Sequence, residues 1–541
     1  MSISSPARRW LGLIAIALGV ALIVVDTTIV NVIIPPVIQD LHITSSQAQW
    51  IQESYAIVFA ALLLLIGRLA DIFGARRIFV AGAVVFGATS MLAGLAPSGG
   101  LLILARFLQG TGAAMILPTS LSLLNSTFTG KARGQAFAVW GSTIGAAAAI
   151  GPSLGGWLAV HASWRWAFGI NVPLAVLVCL GVLLYLAPSP RGSGRIDVIG
   201  AIMSILGLGL LAFGLVEGRS YGWGASISPL RLLGADWDGG PSPALIALVL
   251  AAVTLGGFAL RQTVLSRGLD GSRGRALMDV RLFSIVSFRN GNIATLIIGL
   301  GEFGIVAVLP LWLQFTLGYS AFHAGLALIP IAVGSFVANG ASFGMAARIS
   351  ALGLVRIGLA LEAAGLAGLA LIATTHTPWW SISLILFVYG IGVGFATAQV
   401  TNVVLVDIPG SAAGQGSGIQ SVFRQLGSAL GIAVLTTAFY TTLGSRLHHL
   451  LIASGLPATQ SGHLSYAVTS SAGAAIGSLP ATAAHAARSA MTDGITLAGF
   501  IAAGFVVLGL IATILIPGRT VAGESVSAEQ AAADPARTSR E

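Results

Sequence analysis

Asp26, Glu53, Arg106, Glu302 and Arg424 each stand inside a long apolar stretch of the chain. An ionisable side chain in such a place is costly, and its usual uses are proton relay, ligand binding or pairing with an opposite charge. Burial favours the neutral form of an acid, whereas a nearby guanidinium favours the carboxylate. Asp26 and Arg106 therefore suit either a proton-coupling pair whose separation changes between two conformations or a static structural pair. Glu53 suits the same proton-coupling group, or an interfacial position from which it reaches water. Glu302, in a mostly apolar run, suits a substrate or proton site. Arg424 shares a helical face with Ser417, Gln420, Ser421, Ser428 and Gly431, a polar small-residue stripe fit to line a substrate cavity. Gln399 and Asn402 can offer uncharged hydrogen bonds to a substrate or simply join helices. Glu362 reads as a packing or snorkelling residue.

The elements that must position these groups are membrane helices. Only 8% of the 541 residues are charged, against about a quarter in soluble domains. Apolar runs fall at 10–33, 47–66, 77–96, 101–123, 135–159, 165–187, 197–217, 242–262, 289–317, 323–347, 353–374, 379–407, 415–442 and 492–516. Each has about the 20 residues that a helix needs to cross hydrocarbon, which gives fourteen spans. At 1.5 Å per residue, Asp26 lies roughly 24 Å from the start of the first span. Glu53 and Arg106 enter from the opposite face to a depth of about 9 Å, so the three groups share compatible heights.

With the N-terminus inside, 20 of the 27 Lys and Arg residues fall in cytoplasmic segments, 5 outside and 2 within spans. That bias sets the orientation, and an even number of spans returns the C-terminus to the cytoplasm. The net charge of +9 is dispersed over short loops on alternate sides, a pattern that argues against nucleic acid as a partner. Cys179 is the only cysteine, so no intramolecular disulfide can form. Arg8-Arg9-Trp10 opens what reads as an uncleaved first span. Residues 443–491 are expected to form a long outside loop with short helical pieces, and 517–541 a disordered cytoplasmic tail. His448, His449, His463 and His485 in that loop have no carboxylate or cysteine at ligand spacing, so no metal site is expected. No phosphate-binding loop is present, so ATP is not the evident energy source.

Between the second and third runs the chain reads GRLADIFGARR, from Gly67 to Arg77. Gly67 and Gly74 permit close backbone approach, Asp71 can cap a helix or pair with arginine, and Arg76 and Arg77 mark a cytoplasmic turn. This loop resembles the signature of the major facilitator superfamily, with Ile72 and Ala75 at two of its usually basic positions. VVDTTIVNVIIPPV (Val24 to Val37) is similar to the first-span signature of the drug:proton antiporter family with fourteen spans. RFLQGTGAAMILP (Arg106 to Pro118) is similar to the intramembrane arginine motif associated with proton coupling. GSTIGAAAAIGPSLGG, which carries Gly145, Gly151, Pro152, Gly155 and Gly156, resembles the antiporter signature, and GQGSGIQSVFRQLGSALGIAVL in the thirteenth run resembles that family again.

The resemblance implies an all-α integral membrane protein. Two pseudo-symmetric six-helix halves, 1–188 and 289–516, would flank a segment, 189–288, that carries two extra spans. It implies a multi-pass, monomeric protein of the bacterial inner membrane, driven by the proton gradient without a cofactor. The implied activity is export of lipophilic, often cationic, drugs or metabolites by alternating access. Two alternatives stand beside it: a dedicated exporter of one native metabolite or lipid, and a polytopic membrane transferase.

Overall fold

In hydrocarbon, a backbone N–H or C=O has no water to bond to, so a spanning segment must satisfy its polar groups internally and becomes a helix. The computed structural model describes residues 6–43, 45–192, 196–232, 235–237, 239–267, 276–345 and 349–516, and the tail expected at 517–541 lies outside them. The first group of helices comprises α1 (Pro6–Leu41), α2 (Ser45–Phe73), α3 (Ala75–Gly94), α4 (Gly99–Thr127), α5 (Gly130–His161), the short α6 (Trp166–Gly169) and α7 (Asn171–Tyr185). α8 (Val198–Tyr221) and α9 (Pro243–Arg267) follow, joined by a segment that holds a small antiparallel pair, β1 (Leu230–Leu232) and β2 (Ala235–Trp237). The last group comprises α10 (Val286–Phe315), α11 (Ala321–Ala327), α12 (Ile329–Met345), α13 (Ala351–Ile372), α14 (Trp379–Leu405), α15 (Ala413–Ala453), α16 (Ala458–Ser470) and α17 (Ala481–Ala512).

The two groups repeat one packing scheme. In the first, α1 packs on α5 and α7, α2 on α4, and α3 on α4 and α7; in the second, α10 packs on α15 and α17, α12 on α14, and α13 on α14 and α17. They meet reciprocally, α2 against α15 and α5 against α12, as an approximate two-fold requires. α8 lies against α2 and α15 and packs on α9, outside the paired bundles.

Among the described residues, thirteen helices are long and apolar enough to cross a membrane. The tenth expected run, 323–347, falls on α11 and α12, which Leu328 separates just before Pro330, a residue with no N–H to continue the ladder. The expected outside loop is mostly helix. α15 runs on to Ala453 because Leu443, Leu447 and Leu451, one turn apart, are buried with Val468 of α16 and Ala483, Ala487 and Ala490 of α17. Among the described residues no His, Cys, Asp and Glu gather as a metal site.

Asp197, just before α8, fastens the α8–α9 pair. It accepts from Arg261 at 2.7 Å and from Gln262 at 2.9 Å, and Gln262 in turn accepts from the backbone of Leu277 and Met278. Burial opposes ionisation of Asp197, but hydrogen bonds from Arg261, the Gly200 backbone and Gln262 hold its pKa below the usual carboxylate value. A depressed acid stabilises above its unfolded pKa of about 3.9 and loses that contribution as pH falls through the folded value. Asp197→Asn is therefore expected to lower stability at neutral pH by about 1–3 kcal/mol. Thermal unfolding in detergent should show the gap to wild type closing as pH drops below about 4.

Candidate functional site

Asp26, on the inward face of α1, is fully buried, and its two oxygens are shared among three donors. Arg106 Nη1 of α4 donates to Oδ2 at 2.5 Å; Gln109 Nε2 and Asn171 Nδ2 donate to Oδ1 at 2.8 and 2.7 Å. Ser90 Oγ of α3 accepts from both amides, at 2.7 and 3.3 Å. Arg106, also buried, donates as well from Nη1 to Gln109 Oε1 and from Nε to the Ile51 carbonyl of α2, and its guanidinium lies 4.3 Å from the centre of the Tyr55 ring. Four helices of the first half, α1, α3, α4 and α7, thus meet at one acid, with the backbone of α2 behind its arginine. Sequence spacing places Gln109 on the Arg106 face. Ser90 and Asn171 go unnoticed in it, although each is a polar side chain in an otherwise apolar run.

Glu53 turns to a different neighbour. Trp50, one turn before it on α2, stacks on Phe213 of α8, and Phe213 stacks on Tyr221. Glu53 and the buried Glu217 of α8 both act through space on the Tyr221 hydroxyl. Glu53 therefore belongs to the contact with the extra helices, and Glu217 is an intramembrane acid that the sequence reading passes over.

The glycine motif of α5 has two faces. A Cβ on Gly151 would collide with Thr28 of α1, and one on Gly155 would lie 3.2 Å from the Ile29 carbonyl; Gly156 faces Val32. Gly145 instead faces Ser335 of α12, across the junction between halves. The Pro152 ring lies outside the described side chains. This packing seats the α1 segment that carries Asp26.

The loop between α2 and α3 closes one end of the molecule. Asp71 accepts from the backbone N–H groups of Gly414 and Gln415, at 2.6 and 2.8 Å. A carboxylate there meets the positive end of the α15 dipole. Gly67 lets the helices approach that closely, since a Cβ on it would lie 2.6 Å from the Gly414 carbonyl. Gly74 has φ 91°, a backbone conformation suited to glycine. Arg76 donates to the last carbonyls of α7, Val182 and Leu183, at 3.3 and 2.5 Å, while Arg77 is exposed.

In the second half, Glu302 is buried on α10 and accepts from Thr397 Oγ1 of α14 at 3.2 Å. Arg424 lies between the halves, 5.5 Å from the centre of the Phe303 ring and 5.9 Å from that of Trp140 on α5. Gln399 and Asn402 sit at the α5–α14 seam: Gln399 donates to the Gly134 carbonyl at 3.4 Å, and Asn402 accepts from Arg133 at 3.0 Å. Of the sequence-derived residues, the fold thus gathers Asp26 with Arg106 and directs Glu302 and Arg424 toward α14 and the junction. It places Gln399 and Asn402 in a helix-joining position.

The comparisons with known proteins agree in kind. A family model described as the Major Facilitator Superfamily matches residues 16–432. The puromycin resistance protein pur8 of Streptomyces alboniger is 35% identical over 446 residues, covering 80% of this chain and 82% of that protein. A probable actinorhodin transporter of Streptomyces coelicolor is 32% identical over 81% of this chain and 74% of its own. The multidrug efflux pump LfrA of Mycolicibacterium smegmatis is 29% identical over 92% of this chain and 94% of its own. Among solved structures, a double-tryptophan mutant of XylE covers 95% of this chain and 98% of that chain, with TM-score 0.57 at 15% identity. The human organic anion transporter MFSD10 covers 94% and 99%, with TM-score 0.56 at 14% identity. Those two likenesses concern the fold.

Two outcomes follow from this geometry. Arg106→Ala leaves a buried acid without its counter-charge and is expected to destabilise the protein by about 3–5 kcal/mol. Adding Asp26→Asn to the same chain should recover part of that loss, read as a rise in the unfolding midpoint. Gly151→Leu forces a side chain into Thr28 and should cost about 1–3 kcal/mol by the same assay; an unchanged midpoint would mean that α1 and α5 do not pack there.

Proposed function

The chain belongs to the Major Facilitator Superfamily, and from that premise we propose that it exports lipophilic, often cationic, small molecules in exchange for protons by alternating access. It is a multi-pass integral protein of the bacterial plasma membrane and a transporter; the family removes the membrane transferase as an alternative. The observation that carries the exchange reading is the buried Asp26–Arg106 pair. A proton that arrives on the Asp26 carboxylate neutralises it and weakens its hold on Arg106. The guanidinium then favours other acceptors, so protonation and the packing of α1, α3, α4 and α7 are coupled. Asp71 at the start of α15 supports a gate: separating α2 from α15 breaks two charge-assisted hydrogen bonds, and rejoining them restores both.

The other parts support the same cycle. Glu302 supplies buried negative character near the Arg424 junction and selects cationic guests through burial plus charge. Phe303 and Trp140, which flank Arg424, add aromatic surface for lipophilic ones. The proton gradient is the energy source, no cofactor enters, and one chain suffices. Both termini face the cytoplasm, as the arginine bias implies. A second reading, a dedicated exporter of one native compound, draws on relatives named for single antibiotics such as actinorhodin and puromycin. A panel of lipophilic cations and neutral compounds separates the two, because a dedicated exporter moves one chemical class alone.

The test is transport in proteoliposomes with an imposed pH gradient. Wild-type protein is expected to concentrate ethidium against its gradient and to release protons as it does so. Asp26→Asn keeps size and hydrogen bonding but cannot exchange a proton, so concentrative transport should fall to background while the protein stays folded. Unchanged concentrative transport by this variant would remove Asp26 from the coupling.

A further inference from the structure

The two arginines that lie within spans are held in opposite ways. Arg106 is buried and donates to Asp26, to Gln109 and to the Ile51 carbonyl. Arg424, among the described residues, makes neither an ion pair nor a hydrogen bond. Its guanidinium lies over two aromatic rings instead, 5.5 Å from the centre of Phe303 and 5.9 Å from that of Trp140. The rest of its helix face is closed: Ser417, Gln420, Ser421, Ser428 and Gly431 are all buried, while Arg424 is half-buried and keeps part of its surface accessible. A cation at this depth needs an answering group, and a guanidinium offers five N–H donors in one plane.

The neighbouring acid does not answer it. Glu302 stands next to Phe303 on α10, and successive residues on a helix point about 100° apart. Phe303 is turned toward Arg424, whereas Glu302 is turned toward α14, where Thr397 donates to it at 3.2 Å. Glycines keep this arrangement in place. A Cβ on Gly427 would collide with the Leu296 carbonyl, and one on Gly431 with the Leu300 carbonyl, so α15 and α10 lie backbone to backbone just beyond Arg424. Trp140 is fully buried, and its Nε1 donates to Ser120 Oγ at 3.0 Å, which fixes the ring. The unspent donors of Arg424 thus stand beside two rigidly held rings, one from each half of the molecule.

We propose that Arg424 is the anion seat of the guest site, which binds the carboxylate of an amphoteric aromatic compound while the rings of that compound lie against Trp140 and Phe303. The proposal rests on the reading of the chain as an exporter of small lipophilic molecules, and it adds a substrate class: ring systems that carry an acid as well as a cation. A carboxylate takes the in-plane N–H groups of a guanidinium two at a time, and a guanidinium that lies over aromatic rings can still present them. Glu302 keeps the role given above, at the cationic end. Because one ring belongs to each half, a guest seated here touches both and senses their separation.

The test uses two dyes that differ in one group: rhodamine B, a xanthylium cation with a carboxylate, and its ethyl ester, which keeps the cation and the rings. Binding of each to the purified protein is read by fluorescence polarisation in detergent for wild type, Arg424→Gln and Arg424→Lys. Arg424→Gln should weaken rhodamine B by about tenfold or more, as expected for a lost charge-assisted hydrogen bond, and leave the ester within about twofold. Arg424→Lys keeps the charge without the planar fork and should retain part of the preference for the acid. Equal weakening of both dyes by Arg424→Gln, or unchanged binding of rhodamine B, would overturn the proposal. If the variants do not fold, wild-type protein decides: rhodamine B is expected to bind at least as tightly as its ester, and a tenfold preference for the ester, or no binding of rhodamine B, overturns the seat. The measurement needs no pH gradient, so a failure of proton exchange and a failure of the anion seat give different results.

Discussion

Charge in hydrocarbon must be answered locally, and in the first half of this protein the answer is the Asp26–Arg106 pair. Water cannot screen either group, so each depends on the other and on the amides of Gln109 and Asn171. Breaking such a pair is expensive, whereas exchanging its proton changes which contacts are favourable. Helix positions in this half are therefore tied to the charge on one carboxyl. α1 supplies it, α4 the counter-charge, and α3 and α7 the neutral partners.

Close helix approach is the second constraint, and glycine supplies it. Gly67 against Gly414 brings α2 near enough for Asp71 to bond the first turn of α15; Gly151 and Gly155 seat α1 in α5. Without a hydrophobic drive between helices in lipid, such contacts rely on shape and hydrogen bonds. They also leave interfaces that can open, because a seam of glycine and one capped helix terminus holds less tightly than interlocked large side chains.

The halves share a scheme but have diverged in electrostatics. Asp26 is held by a buried arginine and two amides, whereas the Glu302 carboxylate accepts from the Thr397 hydroxyl and its backbone carbonyl from Tyr389. Of the extra pair, α8 packs on α2 and α15, beside the seam that Asp71 closes, and α9 packs on α8.

Much of this was legible in the sequence because the membrane simplifies the code: a run of about 20 apolar residues becomes a helix, and a charge inside it needs a reason. The spans, the family resemblance, Asp26, Arg106 and the Asp71 turn all follow from local pattern. Depth along each helix could match Asp26 with Arg106, since rise per residue is fixed. What the pattern lacks is rotation about each helix axis and the choice of neighbours. Those decided that Glu53 lies beside the Trp50–Phe213 contact of α2 with α8, that Gln399 and Asn402 join halves, and that Ser90 and Asn171 complete the Asp26 site. They also buried Glu362, which the sequence reads as a packing or snorkelling residue, against Gly392 of α14. Tertiary packing settles these points because the same helix surface can face lipid, a seam or a buried acid, and only the assembled neighbours determine which.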